Sequence, residues 1–223
     1  MDSHKSNDSK NRIVSIRTHH RRGFTLVEML VVIAVISLLM TAAGPVFDSL
    51  TTSQSPGVVA STVSGQLERA RQHAISKNTY VWMRLGAVAE EPNDFFIGVY
   101  ESLDGTNNAA NAKGVWTAPR FPNVKLSNAL DSSLARPAVS AANQPASAAW
   151  VRFTPVGEAW VIPGLATESR IKLVPPNTTG TLVRWTEFGI QPTRRGQVPD
   201  SMKRDVASVQ LSGLTGQALT FSR

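Results

Sequence analysis

The side chains that most often carry catalysis or bind metals are scarce in this sequence. It has 223 residues, four histidines and no cysteine. Three of the histidines lie within the first 20 residues, and only His73 occurs further along. A zinc site built from Cys and His, or a Cys–His catalytic pair, therefore cannot be assembled after that point. His73 lies beside the apolar stripe of a predicted helix, where packing is the usual role. The nucleophile and nucleotide-binding motifs are also missing, so we expect neither an enzyme nor a bound cofactor.

A second candidate site consists of oxygen-bearing residues between positions 101 and 108. Asp104–Asn108 reads Asp-Gly-Thr-Asn-Asn, and Glu101 precedes it. Calcium binds roughly six to eight oxygen ligands of this kind. An Asp-Gly turn between two strands accounts for the same residues, and the sequence favours the turn. A calcium site at 101–108 is the open alternative.

A third candidate is a basic cluster near the carboxyl end. Its members are Arg194, Arg195, Lys203 and Arg204. Such cations can contact the phosphates of nucleic acid, and Arg194 and Arg195 are the candidate contact residues. Asp200 and Asp205 dilute the cluster, so a solvated loop is the simpler interpretation.

The longest apolar stretch of the chain runs from Phe24 to Phe47 and contains a single charge, Glu28. As a helix these residues extend about 36 Å, enough to cross a hydrocarbon core of about 30 Å. A carboxylate inside such a segment costs on the order of 2.5–3.5 kcal/mol on insertion scales. The position of Glu28 therefore needs a functional reason.

The sequence around Glu28 resembles the type IV prepilin signature shared by pilins and type II secretion pseudopilins. The resemblance rests on Arg21–Leu30, which contains Gly-Phe-Thr-Leu-Val-Glu after two basic residues, and on Pro45 within the apolar run. It implies that a prepilin peptidase cuts between Gly23 and Phe24 and that Phe24 is then N-methylated. It also implies that Glu28 pairs with the amino-terminal charge of a neighbouring subunit during assembly, because an opposite charge stabilises a buried carboxylate.

The resemblance divides the chain into four predicted segments. Residues 1–23 are a leader, 24–47 a transmembrane and assembly helix, 48–78 an amphipathic helical segment, and 79–223 a periplasmic β-rich domain. Six basic and two acidic residues give the leader a net charge of +4 out of +7 for the whole chain, so the basic balance argues little for nucleic acid. Positive flanks stay in the cytoplasm, which predicts a single-pass inner-membrane protein whose carboxyl-terminal domain is exported.

A secretory signal peptide is the alternative for the amino end. The small residues Thr41–Ala43 could precede a cleavage site, which would leave Gly44 at the mature end. The prepilin interpretation predicts Phe24 there instead.

The segment after the apolar run has helical periodicity. A break is expected between Asp48 and Gly57, because that stretch is rich in Ser, Thr, Pro and Gly. Beyond it, five apolar residues fall on one helical stripe: Val59, Val63, Leu67, Ala70 and Ala74.

From residue 79 onward the pattern is that of β-structure. Alternating apolar residues predict strands at 81–85, 95–100, 121–126, 150–153, 159–162, 171–173, 209–211 and 219–221. Loops are expected at 102–114 and 131–148, and an irregular excursion at 175–200. The fold class is therefore α+β, with a long amino-terminal helix followed by an antiparallel β-sheet domain. The prepilin resemblance implies that this fold is pilin-like and that the helix is a membrane helix.

A second resemblance narrows the expectation. Leu67–Asn78, Val151–Gly157 and Leu214–Ala218 resemble parts of the minor pseudopilin H and FimT-like domain. The resemblance implies a structural minor pseudopilin of a type II secretion system that assembles into a periplasmic filament. Its partners would be other pseudopilin or pilin subunits, the prepilin peptidase and N-methyltransferase, the inner membrane and exported cargo. The alternatives are a minor type IV pilin that binds DNA for uptake, and a membrane-anchored enzyme.

Overall fold

The structure is a computed structural model of the whole chain. It describes residues 26–52, 55–118, 120–128, 130, 133–165, 167–194 and 196–222, and for 40–52 it describes the backbone alone. The chain divides into two compact units, Met1–Phe47 and Asp48–Arg223.

The first helix, α1, runs from Leu26 to Thr52. Its backbone is helical through position 45. The helix ends at Thr52, inside the stretch 48–57 where a break was expected. Pro45, part of the prepilin resemblance, lies within this helix, and its side chain is outside the described residues. In the part of the chain that the structure describes, no helix is long and apolar enough to cross a membrane.

The second helix, α2, spans Pro56–Lys77. Proline suits its first turn, where the missing N–H has no intrahelical partner. It ends at Asn78, which has φ 50° and ψ 46° and donates its backbone N–H to the carbonyls of Ala74 and Ile75. The predicted stripe is confirmed, because all five of its residues are buried.

In the part of the chain that the structure describes, ten strands follow, and all their pairings are antiparallel. They are β1 Val81–Val88, β2 Glu91–Ser102, β3 Ala112–Thr117, β4 Phe121–Pro122, β5 Val124–Ser127, β6 Ala148–Phe153, β7 Ala159–Pro163, β8 Trp185–Pro192, β9 Ala207–Ser212 and β10 Ala218–Phe221. The first sheet has the order β3-β2-β1-β6-β7, with β4 beside β2, and the second has the order β10-β9-β8-β5. A helix followed by antiparallel sheets agrees with the predicted α+β class.

The main core lies where α2 and the two sheets face one another. It includes Leu67 of α2, Met83 and Phe95 of the first sheet, and Phe188 and Val209 of the second. Successive residues of a strand point to opposite faces of the sheet. The strand residues that alternate with these core residues therefore face away from the core.

A smaller cluster covers the other face of the first sheet. Its fully buried members Trp82 and Trp150 pack with Ala109 and Ile162. Arg84 of β1 is buried on the same face and forms an ion pair with Glu168, with 2.7 Å between its Nε and the carboxylate Oε2.

Three sequence predictions about strands are wrong. Ile171 and Leu173 were predicted to lie in a strand, but a 3₁₀ helix spans Arg170–Lys172, and alternation over three residues carries too little signal to distinguish the two. Residues 121–126 were predicted as one strand; the structure divides them between β4 and β5, because Asn123 has φ 57° and turns the chain from one sheet to the other.

The third error concerns the loops. The excursion predicted at 175–200 contains β8, which lies between β5 and β9. Its neighbouring prolines and glycines suggested a loop, whereas Phe188 and Ile190 face the core. The loop predicted at 102–114 ends earlier, because β3 begins at Ala112.

Candidate functional site

The side chains that the structure describes in α1 are exposed around the whole helix and are largely apolar. Every side chain from Leu26 to Leu39 is exposed, and Glu28 lies in the first turn as the one charged residue of that stretch. A carboxylate is favourable there, because the amino end of a helix carries partial positive charge. A helix that is hydrophobic all round requires an apolar environment on every side. Gly23 and Phe24, the predicted cleavage and methylation residues, lie outside the described residues.

The predicted basic cluster is only partly brought together. Arg194 is exposed and exchanges backbone hydrogen bonds with Gln197, and Arg195 lies outside the described residues. Lys203 and Arg204 line an open cavity of about 670 Å³, which Lys125 of β5 also lines. Lys203 forms an ion pair with Asp200, with 2.6 Å between its Nζ and Oδ1. Lys125 lies far from the cluster along the chain, so no local pattern groups it with Lys203 and Arg204.

The segment after β2 is an organised turn around Asp104. Its Oδ1 accepts hydrogen bonds from the backbone N–H and the hydroxyl of Thr106 at 3.0 and 2.8 Å, and from the hydroxyl of Ser102 at 2.8 Å. Its Oδ2 accepts one from the amide of Asn111 at 2.6 Å. These donors, the Thr106 backbone first, lower the pKa of Asp104 well below its usual range. Within the described residues, no three His, Cys, Asp or Glu side chains lie close enough together to hold a metal. The geometry agrees with the predicted turn.

His73 packs at the edge of α2. Its Nε2 lies 2.6 Å from Oε2 of Glu101, and its ring meets Trp116 edge to face with 5.4 Å between the centroids. Arg69 lies over the same indole, 4.4 Å from its centroid. These contacts join α2 to β2 and β3, which is the packing role expected for His73.

A pocket that the sequence analysis missed opens on the face of the first sheet opposite the main core. Its cavity is about 280 Å³, and its described lining is Phe96, Tyr100, Thr117, Ala118, Arg120 and Arg170. No local motif signals this pocket, because Arg120 and Arg170 lie far apart along the chain and only folding brings them together.

The comparisons with known proteins concern the amino end. Residues 18–44 match the family described as the prokaryotic N-terminal methylation motif. No curated protein and no solved structure matched the chain. The match covers the apolar run as far as Gly44, with Glu28 and the residues flanking the predicted cut. The chain therefore carries the signature shared by type IV pilins and pseudopilins, which indicates a type IV pilin-like protein processed by prepilin peptidase.

Proposed function

We propose that the protein is a structural minor pseudopilin of a type II secretion system. The observation that carries the proposal is the methylation motif at 18–44, which overlaps α1, a helix whose described side chains are all exposed and, apart from Glu28, uncharged. The isolated helix leaves this apolar surface uncovered, and lipid followed by neighbouring subunits would cover it. The motif points to a structural protein, and α2 with the two sheets would form the part displayed on the filament.

The chemistry of assembly follows from two residues. Cleavage after Gly23 creates a new amino terminus at Phe24, which keeps its positive charge after methylation. The charge of one subunit meets Glu28 of another as the helices bundle. An opposite charge within about 4–6 Å stabilises a buried carboxylate, whereas an unpaired one is costly. The pair therefore selects the register between neighbouring helices more than it adds net adhesion.

The mature amino terminus tests this proposal directly. We expect mass spectrometry of the membrane-extracted protein to find a chain that begins with N-methylated Phe24. Co-expression with the prepilin peptidase should produce this form, and a peptidase-deficient strain should retain residues 1–23. A chain that keeps its leader in the presence of the peptidase, or that begins at Gly44, contradicts the proposal.

Assignment to a secretion system requires a second experiment. Residues introduced singly as cysteine are specific probes, because the chain contains no cysteine of its own. A cysteine at Ser37 on α1, labelled with a thiol-reactive photo-cross-linker, should cross-link on irradiation to the helices of co-expressed secretion pseudopilins. Cross-linking to pilus subunits alone would contradict the secretion assignment.

A minor type IV pilin that binds DNA is the second candidate. It is favoured by the cavity that brings Lys125, Lys203 and Arg204 together. Replacing Lys125 and Arg204 by Gln should weaken DNA binding and reduce its salt dependence, because each lost phosphate contact removes about one unit of the salt slope. Lys113→Gln, an exposed cation on β3, is the matched control. Absent or salt-insensitive binding removes this candidate.

A further inference from the structure

The 280 Å³ pocket on the first sheet has an aromatic floor and a cationic rim. Phe96 and Tyr100 of β2 belong to its lining, and Arg120 and Arg170 are half-exposed at 50% and 40% of their side-chain areas. The described lining contains these two cations and no carboxylate.

Both arginines are held in place from outside the pocket by Glu91. Its Oε1 accepts a hydrogen bond from Nη1 of Arg170 at 3.2 Å and another from Nη1 of Arg120. Glu90 holds the start of the 3₁₀ helix Arg170–Lys172 in place. It accepts hydrogen bonds from the backbone N–H of Arg170 at 2.8 Å and from the hydroxyl of Ser169. The two guanidinium groups are thus positioned before any ligand arrives, which reduces the entropy that binding must overcome.

Most of the donors on these guanidinium groups do not go to Glu91. Each guanidinium carries about five N–H donors in a planar fork, and one from each goes to Glu91. Such a fork matches the two oxygens of a carboxylate. A volume of about 280 Å³ suits one side chain rather than a polymeric anion.

The surface beside the rim carries exposed aliphatic side chains. Ile171 follows Arg170 in the same 3₁₀ helix and is 86% exposed, and Val174 is exposed further along the same segment. A free small anion would leave these aliphatic groups uncovered, whereas a protein segment would bury them.

We propose that the Arg120–Arg170 pocket binds a carboxylate, supplied by an acidic side chain of a partner protein with aliphatic neighbours. The pocket lies within the unit Asp48–Arg223. Its test therefore does not depend on how α1 assembles.

The test uses the full-length chain in detergent micelles, with ¹⁵N-labelled arginine, and follows the guanidinium resonances by NMR. Capped glutamate should shift the Arg120 and Arg170 resonances in a saturable manner, and capped glutamine should not. Arg170→Gln should weaken binding about tenfold, the loss of a charge-assisted hydrogen bond. Lys172→Gln removes a neighbouring charge outside the described lining and should change the affinity less than about twofold. Arg120→Lys keeps the positive charge but loses the planar guanidinium fork. It should weaken binding of capped glutamate and leave the thermal transition unchanged, which shows that the loss is in binding rather than in folding.

Two further titrations separate the sources of the anion. A capped Leu-Glu-Leu peptide should bind more tightly than capped glutamate, and Ile171→Ser should remove that gain. Inorganic phosphate should bind more weakly than the peptide. Equal binding of capped glutamine, an equal loss in Lys172→Gln, or binding of phosphate without capped glutamate would each overturn the proposal. A gain from the flanking leucines that persists in Ile171→Ser would overturn the protein source.

Discussion

Glu187, fully buried in β8, accepts a hydrogen bond from Nε of Arg136 at 2.6 Å. Its neighbours Phe188 and Val209 belong to the main core, so Glu187 lies on the opposite face of the second sheet. The Nε2 of Gln144 also donates to Glu187, at 2.9 Å. Arg136 and Gln144 both belong to the loop between β5 and β6. The buried carboxylate therefore anchors this loop to the second sheet.

Replacing Arg136 by Met should destabilise the unit Asp48–Arg223. The change leaves Glu187 buried without its cation, which typically costs about 3–5 kcal/mol. Urea unfolding of a fragment that begins at Ser55 measures the loss in free energy. Arg194→Met, at an exposed arginine, is the matched control and should change stability by less than about 0.5 kcal/mol. Adding Glu187→Gln to Arg136→Met should recover part of the loss, and equal effects of the two Arg→Met variants would contradict this account.

Acidification should loosen the Asp104 turn. Hydrogen bonds lower the pKa of Asp104 in the folded state, so its contribution to stability is present above the ordinary aspartate pKa of about 3.9 and is lost as the pH falls through the folded value. The amide resonance of Thr106, which donates to Asp104, reports the titration. We expect its midpoint well below about 3.9. In Asp104→Asn the resonance should not move over the same range, and a midpoint at the ordinary value would contradict the hydrogen-bonded turn.

Replacing Glu28 by Leu should leave cleavage after Gly23 intact and impair incorporation into filaments. The physical reason is that the amino-terminal charge of the neighbouring subunit loses its partner and is costly to bury. Co-purification with co-expressed pseudopilins from detergent-extracted membranes, followed by immunoblotting, measures incorporation. Met29→Leu changes the next residue without changing charge and should behave as the parent protein. Normal incorporation of the Glu28→Leu variant would count against the pairing role.

The end of α2 should depend on the residue at position 78. Asn78 has φ 50°, a conformation that costs an ordinary L-residue roughly 1–2 kcal/mol, more for one branched at Cβ. Asn78→Val should therefore lower the free energy of unfolding by about that amount. Asn78→Gly should be neutral or slightly stabilising, because glycine adopts this conformation without strain. If the Gly and Val variants are equally stable, the conformation of Asn78 is not what ends the helix.

Local patterns account for the elements that were predicted correctly. The buried stripe of α2 follows from a 3.6-residue period over about four turns. The terminal hairpin of β9 and β10 follows from two short apolar runs separated by glycines. β8 was missed because prolines and glycines around it resemble a loop. What makes it a strand is pairing with β5 and β9, which lie far from it along the chain.

The sequence by itself determined the amino-terminal motif, the apolar helix with its single carboxylate and the helical stripe, because each depends on residues that are neighbours along the chain. Only the tertiary structure decided that Arg120, Arg170 and Glu91 meet, and that Lys125 joins Lys203 and Arg204. Charged side chains carry no periodic signal, and their contacts arise from strand pairing between distant segments. The surface clusters of this protein are therefore a property of the folded sheets, whereas its methylation motif lies in one continuous stretch.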